Sequence, residues 1–449
     1  MLRRNSMRRA IAVGVVALGL AVAGCGATGN GGQGDQVSAG PRPNFAIKDV
    51  KTVQADDAGD AAGRLSLPGW LAQPAPPTTA ATQTVVQALT PGGAPAPGPQ
   101  PPQAGPTLPP KAGPAVPGDQ PSAQPNALAA MYGSLSGAVV DVPTRVYVPN
   151  SDAQTLSVID PNTLTVVATY AVGTVPHHVT PSWDLTRLYI DNTASNTLTA
   201  IDPKTGKPVE TIPVTDPYNL YFTPDGTKAI VVAERLQRLD YRDPKTWALI
   251  KSVPIPGSGV DHMDFSVDGS YLIASDEFSG HVVKVDNNKM EVTGQLAVGG
   301  LPVDVKMSPD GSVFFVTNQG RNGVSIIDPN SMTEIGFIPT GKGAHGLNYS
   351  RDTTKLYVSN RLDGSITVLD VATRTVIATW KVGGSPDMLQ VSTDGKQLWY
   401  SNRFQGSVSV VDTGDGHVIK TIPTGPGAHG VSIFPQPGRY SVGHNGVYR

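Results

Sequence analysis

The sequence has one cysteine in 449 residues, Cys25, which excludes an internal disulfide and any site built on paired cysteine ligands. Charge is scarce: Asp, Glu, Lys and Arg make up 16% of the chain and the formal net charge is −2. No global field therefore draws in nucleic acid or anionic lipid, and nucleic acid is not an expected partner. No apolar run reaches the roughly 20 residues that a helix needs to cross a bilayer. No segment carries the apolar stripe of an amphipathic helix. Neither a nucleophile elbow nor a His-Glu-x-x-His helix occurs.

What is present begins at the N-terminus. Arg3, Arg4, Arg8 and Arg9 precede an apolar or small-residue run from Ala10 to Ala23, then Gly24-Cys25. This is the pattern of a signal peptide over residues 1–24. Val22-Ala23-Gly24-Cys25 resembles a bacterial lipobox, which implies cleavage before Cys25 and lipidation of its thiol. A lone cysteine in an exported chain suits lipid attachment better than structure. The expected location is the extracytoplasmic face of the cell membrane, held by the lipid anchor alone.

Residues 25–135 show almost no apolar periodicity, and Gln73 to Gln124 is dominated by Pro, Ala, Gly, Gln and Thr. Such a segment buries too little apolar surface to offset its ordering entropy. A disordered Pro/Ala-rich tether is expected, spanning on the order of 60 Å.

Residues 136–449 are governed by self-similarity. Asp160, Asp202, Asp243, Asp286, Asp328, Asp370 and Asp412 each close a strand and open a turn, at spacings of 41 to 43 residues. Each unit holds four short alternating strands separated by Asp-Gly or Asp-Pro turns. Four-stranded antiparallel units at this period predict an all-β, seven-bladed β-propeller, because a single such sheet cannot cover both its faces. The chain enters at a second strand, Arg145 to Pro149, so a C-terminal inner strand, His429 to Phe434, is expected to close the ring. A monomeric propeller follows.

Tyr357-Val358-Ser359-Asn360, Phe315-Val316-Thr317-Asn318, Tyr147-Val148-Pro149-Asn150 and Tyr189-Ile190-Asp191-Asn192 resemble the Tyr-Val-Thr-Asn (YncE-like) repeats of bacterial extracytoplasmic propellers. The resemblance implies kinship with haem d-type nitrite reductase and lactonase propellers, and no single activity. Unit three departs, with Val231-Val232-Ala233-Glu234 in place of the signature and a following hairpin read as about four residues short.

Loops after the second and fourth strands share one face, which carries the irregular polar residues. At the start of each first strand, nearest the axis, lie His177, His178, Asp261, His262, Asp304, His345, Asp387 and His429. Imidazole and carboxylate groups converging there suit a transition metal such as copper, zinc or iron, or a redox cofactor. They equally suit hydrogen bonding between neighbouring loops. The second-strand ends supply Glu234, Asp276, Asn360, Arg361, Asn402 and Arg403, candidates for contact with an envelope protein, a glycan or a small ligand. Asn at such a place commonly bonds its own hairpin, whereas arginine fits carboxylate or phosphate. The leading expectation is a non-catalytic binding module, followed by a metal or cofactor protein and then a lactonase-like hydrolase.

Overall fold

The computed structural model describes residues 126–444 and 448–449. The signal peptide, Cys25 and the tether up to residue 125 lie outside the described residues. Among the described residues, 28 strands form seven four-stranded antiparallel sheets. Blade 1 holds Arg145–Asn150, Thr155–Asp160 and Thr165–Ala171, together with Ser432–Phe434. The inner strands of blades 2 to 7 are Pro176–Pro181, Asn219–Phe222, Val260–Phe265, Pro302–Met307, Ala344–Tyr349 and Pro386–Val391.

Burial follows the radial position of each strand. Inner strands are buried along their whole length, whereas the outer strand Thr165–Ala171 alternates exposed and half-buried residues. An inner strand is wedged between neighbouring blades, so both its faces need apolar or hydrogen-bonded side chains. Ring closure is as expected: Ser432 pairs with Tyr147 and Phe434 with Arg145. Val146, Val148 and Ile433 pack there against Trp399, Val408 and Val410 of blade 7. The join is thus a hydrophobic interface as well as a strand pairing.

Two expectations need correction. Residues 126–135, placed by composition at the end of the tether, pack against the disc: Leu128 is buried beside Val313 and Leu356, and Leu135 bridges to Gly438. Their few apolar groups find a ready surface, which a periodicity reading misses. The hairpin of unit three is also of normal length. Ala233 pairs with Arg238 across a four-residue connection, just as Asn192 pairs with Thr197. Ala233, not Glu234, therefore occupies the Asn position, and Glu234 is the first residue of the loop.

The signature residues have identifiable roles. Each inner strand of blades 2 and 4 to 7 has one extra residue near its start, so its register slips against the second strand. Such a bulge frees a backbone N–H and re-aims two consecutive side chains. The Ser or Thr before the signature Asn takes up that group: Gly346 N donates to Ser359 Oγ at 2.7 Å, and Asp304 N to Thr317 Oγ1 at 2.8 Å. The same hydroxyls donate onward to the next blade, Ser359 to the Asp387 carbonyl and Thr317 to the His345 carbonyl, both at 2.5 Å.

Past the closing strand the chain crosses the Asp-Gly turn face. Tyr440 stacks on Trp183, Phe222 N donates to the Val442 carbonyl at 3.0 Å, and Arg449 pairs with Asp264 at 2.9 Å. This tail brings His444 to the axis from the side opposite the irregular loops.

Candidate functional site

The bulge sets two tiers of axial residues. The upper tier, nearer the irregular loops, is His177, Tyr218, Asp261, Val303, His345, Asp387 and His429. The lower tier is His178, Asn219, His262, Asp304, Gly346, Met388 and Gly430. Above both stand the first loop residues, among them Glu234, Glu277, Gln319, Arg361 and Arg403.

Five imidazoles meet on one side of the axis. The His178 ring lies 4.3 Å from His444, 5.1 Å from His262 and 4.7 Å from His429, and His177 lies 4.9 Å from His429. His178, His262 and His444 can each aim a ring nitrogen so that all three lie within 4.8 Å of one another. These side chains are buried. Among the described residues, both nitrogens of His178, both of His444 and Nε2 of His262 have no hydrogen-bond partner. Buried polar atoms are normally paired, and here five unpaired ring nitrogens belong to one cluster of touching imidazoles.

Burial pushes His177, His178, His429 and His444 well below the ordinary imidazole value, which keeps them neutral. Neutral imidazole is the form that binds metal. His262 differs: burial opposes its charge, but the Asp261 carboxylate 2.7 Å from Nδ1 outweighs burial and raises it. A carboxylate behind the far nitrogen of an imidazole orients the ring and strengthens it as a ligand.

His345 and Asp387 form a neighbouring group. Asp387 Oδ1 accepts from Arg361 Nε at 2.9 Å and lies 3.0 Å from His345 Nδ1, while Arg361 Nη2 reaches both Asp387 and His345. Burial alone would raise the Asp387 carboxyl, but Arg361 and His345 hold it well below the usual carboxylate range. Glu234 and Glu277 go the other way. Burial pushes both up, and the nearby Asp261 adds to the shift, so both tend to keep their protons.

Other candidates are absorbed by the fold. Asp304 Oδ2 accepts from Leu347 N of the next blade at 2.8 Å, Oδ1 accepts from Val305 N at 2.9 Å, and Lys306 Nζ lies 3.6 Å away. Asn360 Nδ2 donates to Ser365 and Thr367 at 3.0 Å, and Asn402 Nδ2 to Ser409 at 2.8 Å. Asp276 accepts from the Ser279 hydroxyl in its own loop. A second acidic group, Asp412, Asp415 and His417, belongs to the turn it sits in: Asp412 accepts from Gly414 N and Asp415 from His417 N.

The sequence reading missed His444, which lies outside the repeat. The one available signal was its membership in a set of eight histidines, five of which already marked the axis.

Fold and site together define a closed seven-bladed propeller with a buried histidine cluster on its axis. The chain belongs to the YNCE-like beta-propeller family, whose model matches residues 112–439. No protein of curated function matches it. Among solved structures, the fold is similar to hydrazine synthase of Kuenenia stuttgartiensis, 21% identical over 63% of this chain and 100% of that one, with a TM-score of 0.55. It is similar to the dihydro-heme d1 dehydrogenase NirN in complex with DHE, 17% identical over 65% of this chain and 66% of that one, with a TM-score of 0.50. It also resembles a candidate 6-phosphogluconolactonase from Bacteroides uniformis, 17% identical over 65% of this chain and 99% of that one, with a TM-score of 0.55. At these identities the likeness is one of fold.

Proposed function

We propose that this protein is a membrane-anchored extracytoplasmic propeller that binds a transition metal of the copper or zinc class on its axis through His178, His262 and His444. One observation carries the reading: three buried imidazoles converge with nitrogens within 4.8 Å of one another, and the nitrogens that would bind have no partner among the described residues. Neutral imidazole suits copper, zinc, iron and nickel. Three protein ligands leave a tetrahedral ion one position for an exogenous group. The lipobox-like Cys25 and the tether support the anchored location.

The test is a calorimetric titration of the metal-free full chain with Zn(II) and Cu(II). One equivalent is expected to bind, and His444→Ala is expected to weaken binding at least tenfold with little change in the melting temperature of the metal-free protein. Absence of stoichiometric binding to the wild type refutes the proposal.

A second reading, capture of an envelope protein, has its own support. Leu236, Phe278, Leu362 and Phe404 stand exposed on the loops around the axis, Phe404 at 63%. Exposed apolar groups clustered on one face mark interaction surfaces. The lactonase-like reading has only fold likeness behind it.

A further inference from the structure

We propose that Arg449 is the positioning residue of the metal centre: docked on Asp264, it holds the C-terminal tail so that the His444 imidazole stays on the axis. This rests on the metal-binding reading above. Two segments of the chain meet twice. The inner strand Val260–Phe265 carries His262 and, two residues on, Asp264, while the tail carries His444 and Arg449. The His262 and His444 rings lie 4.7 Å apart, and Arg449 Nη2 donates to Asp264 Oδ1 at 2.9 Å. A ligand pair and an ion pair thus join the same two segments, and fixing the second contact limits the travel of the first.

Arg449 is built into its place. Nη2 also donates to the Phe265 carbonyl at 2.9 Å and Nη1 to the Ser266 carbonyl at 3.0 Å, and the side chain is buried. Asp264 is buried as well, and its other oxygen accepts from Met307 N of blade 5 at 2.8 Å. Guanidinium meets a carboxylate and neighbouring carbonyls through donors fixed in one plane, so the contact sets direction as well as distance.

The tail transmits that position. Arg449 N donates to the Tyr440 carbonyl at 3.0 Å, Tyr440 N donates to the Arg449 carbonyl at 3.1 Å, and Ser441 pairs with Tyr448. The arm so paired, Tyr440 to Val442, leads through Gly443 to His444. Its other side lies on blades 2 and 3. Ser441 N donates to the Trp183 carbonyl at 3.3 Å, and Gly443 bridges to Tyr221 so closely that a Cβ there would collide with the ring. One arm is therefore held at blades 2 and 3 and the other at blade 4 by Arg449, with His444 between the rings of His178 and His262. Without the second attachment the imidazole loses its fixed approach to the other two. A ligand that is not held in place binds metal more weakly, because its ordering entropy then falls on the binding step.

The experiment titrates Cu(II) into the metal-free full chain and into Arg449→Met, Arg449→Lys, His444→Ala and the double variant Arg449→Met with His444→Ala. Electron paramagnetic resonance is recorded for each copper-loaded chain. Arg449→Met is expected to weaken copper binding at least tenfold and to shift the nitrogen hyperfine pattern toward that of His444→Ala. In the His444→Ala background the same substitution should change affinity less than twofold, since a positioning residue then has nothing left to act through. Arg449→Lys, which keeps the charge facing Asp264, should recover part of the affinity and covers the case in which the methionine variant fails to fold. Unchanged copper affinity in both Arg449 variants, or an equal loss with and without His444, overturns the positioning role while leaving the metal reading intact. Failure of the wild type to bind copper or zinc defeats the metal reading and this inference with it.

Discussion

His262 in blade 4 and Asp304 in blade 5 hold the same place on adjoining inner strands, each the second residue of a bulge. Asp304 commits its two oxygens to backbone N–H groups, one of them in the following blade, and neutralises Lys306. The His262 backbone N–H is satisfied by Ser275 at 3.1 Å, but its Nε2 is left over. The propeller therefore needs only some of its axial positions for cohesion. Inter-blade bonds are made elsewhere in the ring by side chains further along the strand: Asp264 accepts from Met307 N at 2.8 Å and Asn348 from Val391 N at 3.1 Å. Blade 4 tolerates a histidine because Asp264 already ties it to blade 5.

The comparison breaks most sharply under reciprocal alanine substitution. His262→Ala is expected to abolish stoichiometric zinc or copper binding while moving the denaturation midpoint of the metal-free protein little. Asp304→Ala should cost about 3 kcal/mol of stability, because it strands the Lys306 charge together with two buried N–H groups. Calorimetry and urea unfolding of both variants check the pair; a stability loss confined to His262→Ala would reverse the assignment.

A smaller effect probes the carboxylate behind the histidine. Asp261→Asn keeps the shape but removes the charge facing His262 Nδ1, and metal affinity should fall about 10- to 100-fold. Competition with a chelator of known affinity measures it.

The smallest effect concerns the bulge itself. Asp191 stands in blade 2 where Ser275, Thr317, Ser359 and Ser401 stand elsewhere, and both its oxygens are buried without a partner among the described residues. Burial pushes its carboxyl well above the usual value. A raised acid stays protonated in the folded state, so stability falls as pH rises above the unfolded aspartate value of about 4. Asp191→Ser should remove that slope and stabilise the protein by about 1–2 kcal/mol at pH 7.5, with the gain shrinking toward pH 4. Thermal melts across pH 4 to 8 read the difference.

Much of the fold was legible because the 42-residue cycle repeats turn chemistry as well as hydrophobicity, and the inner strands begin where the spacing puts them. The convergence of His177, His178, His262 and His429 was legible for the same reason. Three features were hidden. Glu234 looked like a substitute for Asn because register in unit three is ambiguous by one residue until strand pairing fixes Ala233 opposite Arg238. Asp304 could not be told from a ligand candidate, since its role depends on an N–H 43 residues away. Asn360 and Asn402 do bond their own hairpins, as expected, but the partners there are side-chain hydroxyls of the next strand and not backbone, and that choice was the hidden part.

Sevenfold sameness leaves any axial centre without a preferred direction, since each sector offers much the same backbone. The C-terminal tail removes that degeneracy by delivering a single imidazole beside blades 2 and 4. Duplication of a blade would copy every other member of the cluster but never this one, so the orientation of the centre is inherited from the one stretch of chain that the repeat does not encode.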